Sequence, residues 1–153
     1  MRQYLEFAVE LARDAGAVLM EWYEGELTLE TKSSEFDLVT SADHAAEKLI
    51  LGRIRERFPQ HAILAEETGE QLTESEFRWI VDPLDGTTNF ANAFPHFCVS
   101  VALQHREETV VGAIYDPLRD ELFWAEQGEG AWLKTPRAPE RRLHVSRTER
   151  LSA

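Results

Sequence analysis

A chain of 153 residues, 43% of them hydrophobic and including four tryptophans and eight phenylalanines, suits one domain with a packed core and excludes disorder. Its formal charge of −12 excludes the cationic face that a nucleic-acid backbone needs. No stretch approaches the ~20 apolar residues of a membrane span, and acids interrupt MRQYLEFAVE where a signal peptide would be apolar, so a cytoplasmic protein is expected.

Residues 2–24 carry Leu5, Ala8, Val9, Ala12, Gly16, Leu19 and Tyr23 at helical spacing, and Gly25 is placed to stop that helix. LTLET (27–31) alternates as a strand would, and KSSEFDLVTS reads as a polar connection. A second helix starts near Ser41 with Asp43 in its first turn. Ala46, Leu49, Ile50, Ile54 and Phe58 form its buried face and Pro59 ends it. The period then shortens: AILAEE (62–67), FRWIVD (77–82), FCVSVALQ (97–104), TVVGAIYD (109–116) and ELFWAEQ (121–127) read as strands. Asp116-Pro117 and Gly128-Glu129-Gly130 mark two of the turns between them. The lone Cys98 sits in the apolar run FCVSVAL, as a small hydrophobe rather than a nucleophile. The expected class is α+β, with two long helices packed on a largely antiparallel sheet. RRLHVSRTERLSA adds a short strand signal and stops without a tail, as if the chain continued into something further.

The chemistry concentrates in WIVDPLDGTTNF (79–90). Asp82 ends a strand, and Pro83 turns the chain so that Asp85 can return alongside. Two carboxylates in one small volume repel unless one protonates or a hard cation joins them. Mg²⁺ suits such a pair, and the Leu84 carbonyl adds an oxygen. Gly86 permits close backbone approach, while Thr87, Thr88 and Asn89 resemble the cap of a helix whose free N–H groups suit phosphate. Metals beside an anion site imply phosphoryl chemistry. The plainer alternative is an Asp-Pro turn with an aspartate cap. AILAEE and FRWIVD, ending side by side, would bring Glu66 near Asp82, although adjacent acids such as Glu66 and Glu67 are usually solvated. Asp43 reads as an acid answering the helix dipole, Lys32 as a surface lysine and His96 as a packed or hydrogen-bonded histidine.

KSSEFDLVTSAD (32–43), ILAEETG (63–69) and WIVDPLDGTTNFANAFPHFCVSVAL (79–103), with the later GAIYDP, GEGAW and LHVS, resemble the inositol monophosphatase family over essentially all 153 residues. The resemblance implies the N-terminal half of a layered αβαβα fold. It implies Mg²⁺-dependent hydrolysis of a small phosphate monoester, inositol 1-phosphate foremost. By position, Glu66, Asp82 and the Leu84 carbonyl would hold one Mg²⁺, and Asp82 would bridge to a second ion bound by Asp85. Thr87 and Glu66 would orient the attacking water, Asp43 would accept from Thr87 and help a weaker third ion, and the Gly86 and Thr87 amides would hold phosphate. The family continues into a second domain with a Trp-Asp pair. Here Trp22, Trp79, Trp124 and Trp132 are followed by Tyr, Ile, Ala and Leu. The expectation is therefore a catalytic N-terminal half, self-associating as a homo-oligomer, a dimer, and slow or inactive by itself. The alternatives are a sugar or nucleotide phosphatase, an aspartyl-phosphate phosphatase with Asp82 as nucleophile, and a non-catalytic metal- or protein-binding domain.

Overall fold

The computed structural model describes residues 1–23, 29–31 and 38–149. Their order is α1 (Arg2–Tyr23), β1 (Leu29–Thr31), β2 (Leu38–Thr40), α2 (Ser41–Arg57), β3 (Ala62–Ala65), β4 (Gly69–Gln71) and β5 (Phe77–Asp85). Then follow α3 (Thr87–Ala91), β6 (Cys98–His105), β7 (Glu108–Asp116), β8 (Glu121–Glu126), β9 (Gly130–Thr135) and β10 (Ala138–Leu143). Gly25 and Lys32 lie outside the described residues.

Eight strands form one sheet in the order β10-β9-β8-β7-β6-β5-β3-β4. Every neighbouring pair in it is antiparallel except β3 with β5, which run parallel. The α+β class and the largely antiparallel sheet follow the reading of the sequence. Three strand regions depart from it. Leu38–Thr40 is no polar connection but a strand paired antiparallel with β1. The polar β4 and β9 carry no apolar alternation that would announce them, while the short strand signal that begins at Arg141 falls on the end of β10.

Both long helices pack on one face of the sheet and on each other. Trp79 and Val81 of β5, Val99, Val101 and Leu103 of β6, and Val111 and Ala113 of β7 alternate toward them, as a half-covered sheet requires. The α1 stripe is wider than its predicted face. Phe7, Leu11 and Ala15 are buried along with Ala8, Ala12, Gly16 and Leu19, because α1 meets both α2 and the sheet. At Gly16 a Cβ would stand 2.6 Å from the Tyr115 ring, so the missing side chain sets how closely α1 sits on β7. On the opposite face a groove runs past Ala102, Gly112, Ile114, Phe123 and Trp132, and Ile114 is 44% exposed.

The β5 end remote from Asp82 is locked by aromatic rings. Phe58, His61, Phe77 and His105 stack in succession with centroids 4.9, 5.0 and 4.6 Å apart. The fully buried Trp79 donates its Nε1–H to His61 Nδ1 at 3.1 Å. That bond needs an unprotonated Nδ1, and burial lowers the His61 pKa below its ordinary 6.5. The unfolded chain therefore takes up the His61 proton first as pH falls. The His61 contribution to stability is complete above about pH 6.5 and is lost progressively as pH drops below it. His61→Phe keeps the stack but strands the Trp79 donor, at a cost of about 1–3 kcal/mol. Denaturant melts at pH 7.5 and pH 5 should show the two proteins converging at the lower pH. A gap that stays constant would assign His61 no role in the pH response.

Candidate active site

Glu66 meets Asp82 because β3 and β5 are parallel and end together. Ala65 pairs with Val81, and the Glu66 N–H donates to the Val81 carbonyl at 3.1 Å, so the next side chains emerge side by side. Past Asp82 the strand does not end, contrary to the sequence expectation. Its pairing with β6 moves from Asp82–Ser100 to Asp85–Cys98, which sets two residues against one in a bulge. Proline is tolerated there because a bulge leaves an unpaired position that needs no donor. The bulge tucks Pro83 and Leu84 into the core and leaves Asp85 exposed near Asp82.

The cost of this crowding falls on Asp82. Burial raises its carboxyl to about 7, helped by the charge of Glu66, by a hydrogen bond shared with Glu66 and by the charge of Asp85. The Leu84 N–H, donating to Asp82 Oδ1 at 3.1 Å, opposes the shift and is outweighed. Two carboxyl groups can share a hydrogen bond only with a proton between them, and a cation could take that proton's place. Next door, burial and the Asp85 charge push the Cys98 thiol up to about 12, and its Sγ lies 3.8 Å from Asp85 Oδ2. Cys98 stays a thiol, as its apolar setting suggests.

Gly86 follows at φ 100, a left-handed conformation, and serves as N-cap of α3. A Cβ there would lie 3.0 Å from the His96 carbonyl and 3.3 Å from Phe97. No side chain caps α3, so Thr87, Thr88 and Asn89 are its first turn and not its cap. Their side chains have other work. Thr87 Oγ1 donates to the Leu84 carbonyl at 3.0 Å, and Asn89 Nδ2 donates to the His96 carbonyl at 2.7 Å. The His96 side chain is exposed and not packed. Asp85, Gly86, Asn89, Cys98, Asp116 and Phe123 are among the residues that line a cleft of about 250 Å³.

Asp43 lies in the first turn of α2, where the helix dipole alone placed it, but it is 1% exposed, a burial that an acid answering the dipole does not need. The preceding β2 packs on α3, so this turn is delivered to the side of the site that carries Thr87. One turn on, Glu47 is also buried and accepts the Glu67 N–H at 3.1 Å. The sequence reading passed over Glu47, although an acid four residues after Asp43 on an apolar stripe was a visible signal.

Among the described residues, no three His, Cys, Asp or Glu side chains are gathered tightly enough to cage an ion as they stand. The donors nonetheless fit a hard divalent cation in kind. All are oxygens, two carboxyl groups touch, a third is within electrostatic reach, and the Leu84 carbonyl lies between Asp82 and Asp85.

The chain belongs to a known family. The model of the inositol monophosphatase family matches residues 1–153, and the chain is a member of it. The chain is 45% identical over 135 residues to the Nus factor SuhB of Salmonella typhimurium, covering 87% of this chain and 51% of that protein. Among solved structures, the extragenic suppressor protein SuhB of Bartonella henselae matches with TM-score 0.84 and 41% identity, over 94% of this chain and 54% of that one. The inositol monophosphatase of Anabaena matches with TM-score 0.78 and 42% identity, over 96% and 51%. The chain thus spans about half the length of the relatives it matches.

Two outcomes follow. In EDTA at pH 8, Asp82→Asn should melt at a higher temperature than the wild type, because the crowded charge is gone and the Oδ1 acceptor remains. Mg²⁺ should then raise the wild-type midpoint and leave the variant unmoved. A variant that melts lower in EDTA would refute the account of the site's strain. Gly86→Ala should lose about 1–3 kcal/mol in denaturant melts, since alanine must hold a strained φ against the His96 carbonyl. Full stability in that variant would show that the loop yields freely.

Proposed function

We propose that this chain carries the metal- and phosphate-binding part of an Mg²⁺-dependent phosphomonoesterase, with inositol 1-phosphate as the favoured substrate. The observation that carries the reading is the meeting of Glu66, Asp82 and Asp85 at the end of β5, where burial first and the neighbouring acids second hold the Asp82 carboxyl up at about 7. Such mutual repulsion is wasteful in a purely structural position and useful where a cation is to be held.

When bound, Mg²⁺ supplies positive charge that neutralises the carboxylates and the substrate phosphate and favours in-line displacement at phosphorus. Glu66, Asp82, Asp85 and the Leu84 carbonyl would hold it, and the Gly86 and Thr87 amides would hold the phosphate. The Thr87 hydroxyl has one proton, which it donates to the Leu84 carbonyl. With that carbonyl engaged elsewhere, the hydroxyl can turn its proton to Asp43 and keep its lone pairs for the attacking water, which Glu66 also orients. A cytoplasmic homo-oligomer belongs to the same reading. No helix among the described residues is long and apolar enough to cross a membrane.

A second reading, a domain that binds a partner without hydrolysis, draws on the name Nus factor carried by the Salmonella and Escherichia coli relatives. Phosphate release from inositol 1-phosphate at high protein concentration separates the two. The favoured reading expects slow release that requires Mg²⁺ and stops in EDTA. Thr87→Ala should then cut turnover by ~10²-fold or more while leaving Mg²⁺ affinity within a few-fold. Mg²⁺ binding without any release would favour the binding domain, and equal losses of turnover and affinity would make Thr87 merely structural.

A further inference from the structure

Glu47 lies in the middle of α2, 2% exposed, among Ala46, Ile50 and Leu51. An acid buried on the apolar face of a helix costs free energy that a leucine of similar size would not. Its partner shows what it does there. A Glu47 carboxyl oxygen accepts the backbone N–H of Glu67 at 3.1 Å, across 20 residues of sequence. The neighbouring N–H, that of Glu66, donates to the Val81 carbonyl on β5 at the same distance. The Glu66–Glu67 segment, which has already left β3, is therefore clamped from two sides. β5 holds one amide and α2 holds the next. Without the α2 clamp, Glu66 would sit on the free end of a four-residue strand with one amide to fix its direction.

We propose that Glu47 is a positioning residue. By holding the Glu67 amide it aims the Glu66 side chain at Asp82, and so sets the affinity of the site for a divalent cation without touching the ion. This rests on the metal-site reading above. The acceptor oxygen is what matters, not the charge, so the conservative amide should replace the acid and an isosteric hydrocarbon should not.

Mg²⁺ affinity is to be measured by calorimetry on the 153-residue wild type, Glu47→Gln and Glu47→Leu, with melting in EDTA as a control for folding. Glu47→Gln should bind within a few-fold of wild type. Glu47→Leu should fold and bind about 10–100-fold more weakly, the usual effect of removing a group that orients a metal ligand. Equal affinity in Glu47→Leu, or equal losses in both variants, would overturn the proposal. Amide hydrogen exchange at Glu67, read by NMR in EDTA, needs neither metal nor the leucine variant. The amide should be protected in wild type and in Glu47→Gln, and rapid exchange in the folded wild type would also overturn it. Should the wild type fail to bind Mg²⁺ while Glu67 is protected, the metal reading falls and the clamp stands.

Discussion

The parallel pairing of β3 with β5 is the constraint from which the site follows. Antiparallel neighbours would end at opposite edges, but parallel ones deliver Glu66 and Asp82 to the same edge at the same height. The bulge at Pro83–Leu84 then adds Asp85, since one extra residue lets the chain bury two side chains and still bring a third acid to the surface. A half-buried carboxyl held near 7 is the electrostatic record of that crowding. It means that the free site is strained, and that a proton or a cation relieves it.

The remainder of the fold resists that strain. At the other end of β5, Trp79 is fully buried and hydrogen-bonded to His61 within a run of stacked rings, so the strand cannot slide or tilt to spread its acids. Removing a tryptophan in such a place costs about 3–5 kcal/mol, against about 1–3 for a strained backbone position. Packing outweighs strain, and the site is the place where that surplus is spent. Gly86 contributes the second fixed element, since its left-handed backbone lies against the His96 carbonyl and starts α3 with uncapped amides beside the carboxylates.

Much of this was legible in the sequence. Strong alternation in FRWIVD, FCVSVALQ and TVVGAIYD announced the central strands, and AILAEE and FRWIVD, ending side by side, suggested the meeting of Glu66 with Asp82. Pro83 misled, because proline ordinarily ends a strand and only a bulge accommodates it. β10 was signalled only at its end, from Arg141, since five of its six residues are exposed. Asp43 read only as an acid answering the helix dipole and Glu47 was passed over, because burial is decided by what packs on a helix, in this fold the segment after β3 and the β2 approach. The resemblance to the inositol monophosphatases supplied Asp43, and local physics alone did not.

The central claim is that one divalent cation settles among Glu66, Asp82, Leu84 and Asp85. Mn²⁺, a paramagnetic stand-in for Mg²⁺, tests it directly when added in trace amounts to the ¹⁵N-labelled chain. Amide signals of Glu66, Glu67, Asp82 and residues 84–87 should broaden first and together, with those of Phe77, Trp79 and His105 at the far end of the sheet left sharp. Broadening centred elsewhere on this acidic surface, or spread evenly over it, would contradict the account.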